Sequence, residues 1–265
     1  MRGQTLILVL LGLPVLVLLL LALRRPRTDR DWAPDMQRLV RPEVLADGRV
    51  RLDGVRDWRY APDSVVSTGT LDGVWDPADL TDLWMYEQVF DERGLTAHTF
   101  LVFEFDESYG ERRFLGVSME ARREADEAYS ILRGMFRSYE AAMIWATEED
   151  LATRRLVYAG DPVNRYRLEV DPESRASIFV RMAEETRALV DHPRWYNTAF
   201  YNCTSSLIRY ANESRPGAIP LHYSWVLTGR IDEHLERLGY LDTAATRTLT
   251  PEDVRRDGLR AEGRT

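Results

Sequence analysis

His98-Thr99-Phe100-Leu101-Val102-Phe103-Glu104-Phe105, then Asp106-Glu107-Ser108-Tyr109-Gly110, then Phe114-Leu115-Gly116-Val117-Ser118-Met119-Glu120: this stretch decides the fold. Its aromatic and β-branched runs predict two strands, and the short polar loop between them predicts that they pair antiparallel. Alternation sets His98, Phe100 and Val102 on one face of the first strand, and Ser118 with Glu120 on one face of the second. Paired across the loop, the strands bring His98 and Glu120 to the same edge of a sheet.

Working outward, 50–52 and 55–60 alternate as half-buried strands do, and 143–145 and 166–170 predict two more. Asp76-Pro77 predicts a short helix running through Leu80, Leu83 and Trp84, and 124–137 has helical content broken at Gly134. Asp171-Pro172-Glu173 is a helix start with a capping acid, a proline at the first helical position and an acid in the first turn. That helix carries Ile178, Phe179, Met182, Leu189 and Val190 on one stripe and stops before Pro193. A second helix runs from Cys203 through Leu207, Ile208 and Ala211. The sum is an α+β fold, an antiparallel sheet with helices packed against it.

The ends of the chain read differently. Residues 6–23 are an uncharged apolar run of 18 residues, enough to span a bilayer. No small-residue cleavage site follows, so 1–27 is expected to be an uncleaved N-terminal transmembrane anchor. Residues 28–45 read as a juxtamembrane linker, 46–242 as the globular domain and 243–265 as a polar, disordered tail. Arg24, Arg25, Arg27 and Arg30 follow the apolar run while Arg2 alone precedes it, and that charge balance by itself favours a cytoplasmic domain.

Composition narrows the chemistry. The 265 residues are 45% apolar and 29% charged, a globular composition, and the net charge of −8 argues against a nucleic-acid partner. There is no lysine, which excludes a lysine nucleophile or Schiff base. The single cysteine excludes an intrachain disulfide and a multi-cysteine metal site. No cofactor and no metal are expected.

That cysteine, Cys203, lies in Tyr201-Asn202-Cys203-Thr204-Ser205-Ser206, where a polar stretch gives way to an apolar-periodic one. A helix start stabilises a thiolate through its unpaired N–H groups, so Cys203 reads either as a nucleophile or as a small buried hydrophobe. Of the four histidines, His192 reads as a helix-end cap, His222 as a loop residue and His234 as part of a surface helix. His98 has two readings. Either it is a base oriented by Glu120, or it is a core histidine bonded to a carbonyl while Glu120 pairs with Arg122 or Arg123.

Ala97-His98-Thr99-Phe100, 117–124, Tyr196-Asn197 and Asn202-Cys203-Thr204 occur in an order and spacing that resemble the uncharacterised-domain family 4105. That family is also described as the N-terminal periplasmic domain of Lnb-type bacterial lipoprotein N-acyltransferases, and 55–60 looks like its upstream segment. The likeness covers roughly 32–240. The order, histidine before cysteine, is similar to circularly permuted papain-like (NlpC/P60) enzymes. These carry a histidine on a strand, a polar orienting residue on the next strand and a cysteine opening a helix.

The resemblance implies a circularly permuted papain-like fold with Cys203 as nucleophile, His98 as base and Glu120 as orienter. Asn202, Tyr201, Ser118 and Arg122 become the expected oxyanion or substrate-binding residues, with Arg122 and Arg123 candidates for lipid phosphate. It implies acyl transfer from a membrane phospholipid, through a Cys203 thioester, to the N-terminal amine of a lipoprotein. It also implies a bacterial inner-membrane, single-pass protein whose catalytic domain is periplasmic, against the charge balance. The same residues fit two other readings, an NlpC/P60-like cell-wall peptidase or amidase and a non-catalytic membrane-anchored binding domain.

Overall fold

A computed structural model describes residues 23–258. The chain lays down β1 (Glu43–Val44), β2 (Val50–Arg56), a hairpin of β3 (Arg59–Ala61) and β4 (Ser64–Ser67), β5 (Thr70–Trp75) and β6 (Leu80–Val89). It continues with β7 (Ala97–Phe105), β8 (Phe114–Arg122), a single helical turn α1 (Ile131–Gly134), β9 (Glu140–Thr147), α2 (Glu148–Thr153) and β10 (Val163–Leu168). The long helix α3 (Pro172–Asp191) follows, then α4 (Cys203–Ser214), α5 (Ile231–Arg237), β11 (Leu241–Leu249) and α6 (Pro251–Gly258).

One sheet organises the molecule. Its order is β1-β2-β9-β8-β7-β6-β10-β11, with β5 also paired to β2. Pairing is antiparallel throughout except between β2 and β9, which run parallel at Arg56↔Ala146. The fold is therefore α+β with a largely antiparallel sheet.

Both faces of the sheet are covered. On one, Leu83, Met85, Leu101, Phe103, Val117, Met143 and Trp145 meet α3 and α4 through Phe179, Met182 and Ile208. Phe179 packs edge-on against Phe103 and Trp145, with ring centroids 5.0 and 5.7 Å away. On the other face Tyr86, Phe100, Val102 and Phe114 meet Leu151, Leu156 and Val254. Two-sided burial explains why every residue of β7 is buried and why its sequence is almost continuously apolar. A Cβ on Gly116 would stand 2.4 Å from Leu151 Cδ1, so the glycine leaves room for the Leu151 side chain of α2 against β8.

Several elements depart from expectation. The helix expected over 76–84 is a 3-10 turn, Pro77–Asp79, followed by β6, a ten-residue strand. Leu80, Leu83 and Trp84 have helical spacing, but ladders with β7 and β10 on either side override it. Of the helical stretch over 124–137 only α1 forms.

The stretch 28–45 is not a free linker. Trp32, Met36 and Val40 are buried, and Arg30 pairs with Glu124 and Glu140 at 2.6 and 2.7 Å. The tail expected from residue 243 is instead β11, paired with β10 from Leu168↔Leu241 to Val163↔Leu249, and then α6. Thr248 and Arg247 look polar in sequence, yet Leu249 and Val254 close the second core. Residues 259–265 of that tail, and 1–22 of the expected anchor, lie outside the described residues. Among the described residues no helix is long and apolar enough to cross a membrane.

Candidate active site

Helix α4 begins at Cys203 because Asn202 caps it. The Asn202 Oδ1 accepts from the Ser205 N–H at 2.8 Å, and the Ser205 hydroxyl accepts from the Asn202 N–H at 2.9 Å, a reciprocal capping box. The Asn202 amide nitrogen donates to the Thr198 and Trp225 carbonyls at 2.7 and 3.2 Å, which locks two loops to the helix start. Cys203 is thus the first helical residue, where a backbone N–H has no partner within the helix. Its thiol is free and buried.

The imidazole comes from the start of β7. The β7–β8 ladder runs from Glu104↔Phe114 to Leu101↔Val117, and the same register carried forward sets His98 opposite Glu120. His98 Nε2 lies 2.7 Å from the Ser118 hydroxyl and 3.2 Å from Glu120 Oε1. Ser118 donates to Glu120 Oε1 at 2.7 Å, so it relays between the ring and the carboxylate. Nε2 is thus the ring nitrogen that the Ser118–Glu120 pair engages.

A fourth residue completes the row. Arg155, in the π-helical turn Arg154–Ala159 after α2, is almost wholly buried and donates to Glu120 Oε1 at 2.7 Å and to Ser118 at 3.3 Å. It also donates to the Leu151 carbonyl at 2.8 Å, and its guanidinium lies 4.4 Å from the centroid of the Phe100 ring. Sequence reasoning passed over this residue. One local signal was present: Thr147-Glu148-Glu149-Asp150 has the capping-box pattern, and the Thr147 hydroxyl does accept from the Asp150 N–H at 3.3 Å. That pattern announces the helix, but nothing in it says that Arg155 reaches Glu120.

These neighbours set the ionisation. Burial works against a charged imidazole, but the charge of Glu120 and then the contact with Cys203 outweigh it, raising the His98 pKa to about 9. Burial likewise works against a thiolate. The charge and hydrogen bond of His98, with the Thr99 N–H and the Thr204 hydroxyl, overcome it and bring Cys203 below its ordinary value. Glu120 is held well below the carboxylate range, against burial, by His98 and then Arg155 and Arg154. Burial depresses Arg155 itself to about 10 despite Glu120. All the directions favour the thiolate–imidazolium pair over the neutral thiol and imidazole, and the thiolate is the form of cysteine that attacks carbonyls.

The pair opens into a cavity of about 380 Å³. Its floor holds His98, Glu120, Arg155, Asn202 and Cys203, and its walls are mostly apolar, among them Phe90, Ile131, Met135, Tyr196, Val226 and Leu227.

The structure thus brings Cys203, His98, Glu120 and Ser118 together. Ser118 is the bridge between base and carboxylate, buried beneath the ring rather than offered to a substrate. The polar groups of three other expected residues are engaged in other contacts. Both amide protons of Asn202 are taken by carbonyls, so its side chain holds the helix start and is not a spare oxyanion donor. The Tyr201 hydroxyl donates to Glu185 on α3 at 2.5 Å, and Arg209 packs over its ring at 5.3 Å. Arg122 is buried over the Trp32 ring at 4.1 Å and donates to the Met36 and Gln37 carbonyls, both at 3.0 Å. It fastens the 28–45 segment and is shielded from any phosphate, whereas Arg123 does line the cavity.

The other histidines have structural surroundings. His192 ends α3, His222 caps the Tyr223–Trp225 turn, and His234 is buried, its Nε2 3.3 Å from the Pro220 carbonyl, where a surface position was expected.

A family model described as the Lnb N-terminal periplasmic domain matches residues 71–229, more than half of the 265-residue chain. The chain belongs to this family. The matched stretch contains every residue of the candidate site described above, from His98 to Cys203. On both sides of it the same sheet continues, with β2 before and β11 after, so the Lnb-type domain here is larger than the matched region. No curated protein and no solved structure matches the chain.

Proposed function

We propose that this Lnb-type domain is a thiol acyltransferase working outside the cytoplasm, with Cys203 as nucleophile, His98 as acid–base group and Glu120 as the orienter that Arg155 fixes. One observation carries the reading. Cys203, at a helix start, lines the same largely apolar cavity as His98, whose ring is held by the Ser118–Glu120–Arg155 row. The permuted papain-like relationship is part of the proposal and rests on the strand-borne histidine preceding the helix-borne cysteine.

The chemistry divides into two balanced steps. The Cys203 thiolate attacks the ester carbonyl of a phospholipid. As the C–O bond breaks, the imidazolium of His98 gives its proton to the departing glycerol oxygen, leaving a thioester and a lysophospholipid. The free α-amine of a lipoprotein N-terminus then attacks the thioester. Neutral His98 takes the amine proton, the C–S bond breaks, and an amide and the starting thiolate result. The Cys203 backbone N–H, unpartnered within the helix, is the donor placed to stabilise the oxyanion in both steps. The apolar walls favour an acyl chain over a peptide.

The test is mass spectrometry of lipoprotein N-termini in cells lacking other N-acyltransferases, with and without this chain. An added acyl group that appears only with the active chain, and not with Cys203→Ala, supports the reading. Unchanged free amines with the chain present sink it.

A further inference from the structure

Large apolar side chains that line the cavity, or that directly adjoin lining residues in the chain, stand exposed among the described residues. Leu132 is 68% exposed and Phe200 82%, and Phe90, Phe136, Val226 and Leu227 beside them are each 40% or more. A soluble surface carries scattered apolar residues, but a contiguous set around one opening marks an interaction face. They come from four separate segments, and hydrogen bonds clamp three of these together. Thr198 donates its N–H to the Gly134 carbonyl at 3.1 Å and its hydroxyl to the Ile131 carbonyl at 3.1 Å. Asn197 donates to the Met135 carbonyl at 3.3 Å, and the Asn202 amide holds the Trp225 carbonyl at 3.2 Å. A Cβ on Gly134 would meet Thr198 Oγ1 at 2.2 Å, so the two loops are in close contact. The exposed side chains therefore stand on a built scaffold, with the nucleophile's own helix cap at its centre.

What covers them is indicated by where the rest of the chain arrives. The uncharged apolar run 6–23 ends at Arg24, whose guanidinium lies 5.6 Å from the Trp195 ring centroid. Trp195 bridges Glu140, and Glu140 also accepts from the Arg27 N–H at 2.9 Å. Trp195 opens the very loop that carries Phe200 and lines the cavity through Tyr196, Thr198 and Ala199. The membrane-length segment thus joins the domain beside the apolar rim. The opposite end of the sheet, where the 45–48 turn lies near Pro77, is about 25 Å along β7 from His98.

We infer that this rim is a membrane-docking face, inserting Leu132, Phe136 and Phe200 into the phospholipid surface so that the cavity mouth opens onto the bilayer. The inference deepens the acyl-transfer reading and rests on it for what the mouth receives. A lipid ester then reaches Cys203 without crossing water, and the tether holds the domain at the depth the rim requires.

The full chain, with Cys203→Ser and one new cysteine at Leu132, Phe200 or Val44, is spin-labelled and reconstituted into vesicles of phosphatidylethanolamine and phosphatidylglycerol. Collision with oxygen and with a water-soluble nickel chelate reports depth. Labels at 132 and 200 are expected to favour oxygen, and the label at 44, on the far end of the sheet, to favour the chelate. Labels at 132 and 200 as accessible to nickel as that at 44 overturn the proposal. So does dipolar broadening showing a second copy of the chain on the rim.

With Cys203 intact, Leu132→Glu combined with Phe200→Glu is expected to lower acylation of Cys203 from vesicles by about tenfold or more, leaving its alkylation by iodoacetamide unchanged. Because depth is read without any reaction, embedded labels on a chain that never acylates would uphold docking and defeat acyl transfer. Aqueous labels on a chain that does acylate would do the reverse.

Discussion

The charge state of Cys203 is decided by three side chains that lie far apart in sequence. His98 charged and Cys203 ionised stabilise each other, and Glu120 holds His98 in that form. The alkylation rate of Cys203 should therefore inflect below the ordinary thiol value of about 8.5. In the proposed acyl transfer His98 must be protonated to release the glycerol oxygen, so the alkaline limb of turnover should fall near 9. Glu120→Gln removes the charge that raises His98, and should move that limb to lower pH while raising the alkylation inflection. A thiol that titrates at or above its ordinary value in the unmodified protein would contradict the ion pair.

Arg155 is a positioning residue on this account. Arg155→Met leaves Glu120 without its guanidinium, and should cost about 3 kcal/mol in urea unfolding. Because Arg155 helps hold Glu120 ionised, the substitution should also raise the Cys203 inflection, a change that simple loss of packing would not produce. His98, Glu120 and Cys203 were legible as candidates because strand alternation and a helix start are local patterns. Arg155 was not. Its role depends on α2 folding over the sheet to reach β8 from 35 residues away.

At the scale of elements, the position of Cys203 depends on one cap. Asn202→Ala removes the bond to Ser205 and both carbonyl contacts, and should cost about 2 kcal/mol, as a lost cap together with buried carbonyls left unpaired. Asn202→Asp keeps an acceptor for Ser205 but loses the two donors. Urea unfolding should place it between Ala and the native residue in stability, with slower Cys203 alkylation than native because a nearby carboxylate opposes the thiolate. Equal stability of Asn202→Ala and the native chain would show that the cap is dispensable. Helix α3 was readable from its start signal, Asp171-Pro172, and α4 from the change to apolar periodicity at Cys203. β6 was not, since Leu80, Leu83 and Trp84 fit a helix until β7 and β10 take both edges.

For the whole molecule, the sheet extends further than the sequence suggests at both ends. Buried Trp32, Met36 and Val40 join the start of the chain to the core, and β11 with α6 closes the other side. Truncation after Tyr240 should leave the β10 edge unpaired and remove Leu249 and Val254 from the second core, costing about 3 kcal/mol or more in urea unfolding. An unchanged midpoint would restore the reading of that segment as a tail. Its polar composition hid the strand, because Leu249 is the one buried residue of β11.

The central claim is that Cys203 carries the acyl group. The full chain in phospholipid vesicles, quenched in acid during turnover, can be digested and the peptide bearing Cys203 weighed. The account predicts a fatty-acyl mass on that peptide, removed by neutral hydroxylamine and absent from His98→Ala. Acyl transfer that persists in Cys203→Ala, with no acyl mass ever found on the Cys203 peptide, would contradict it.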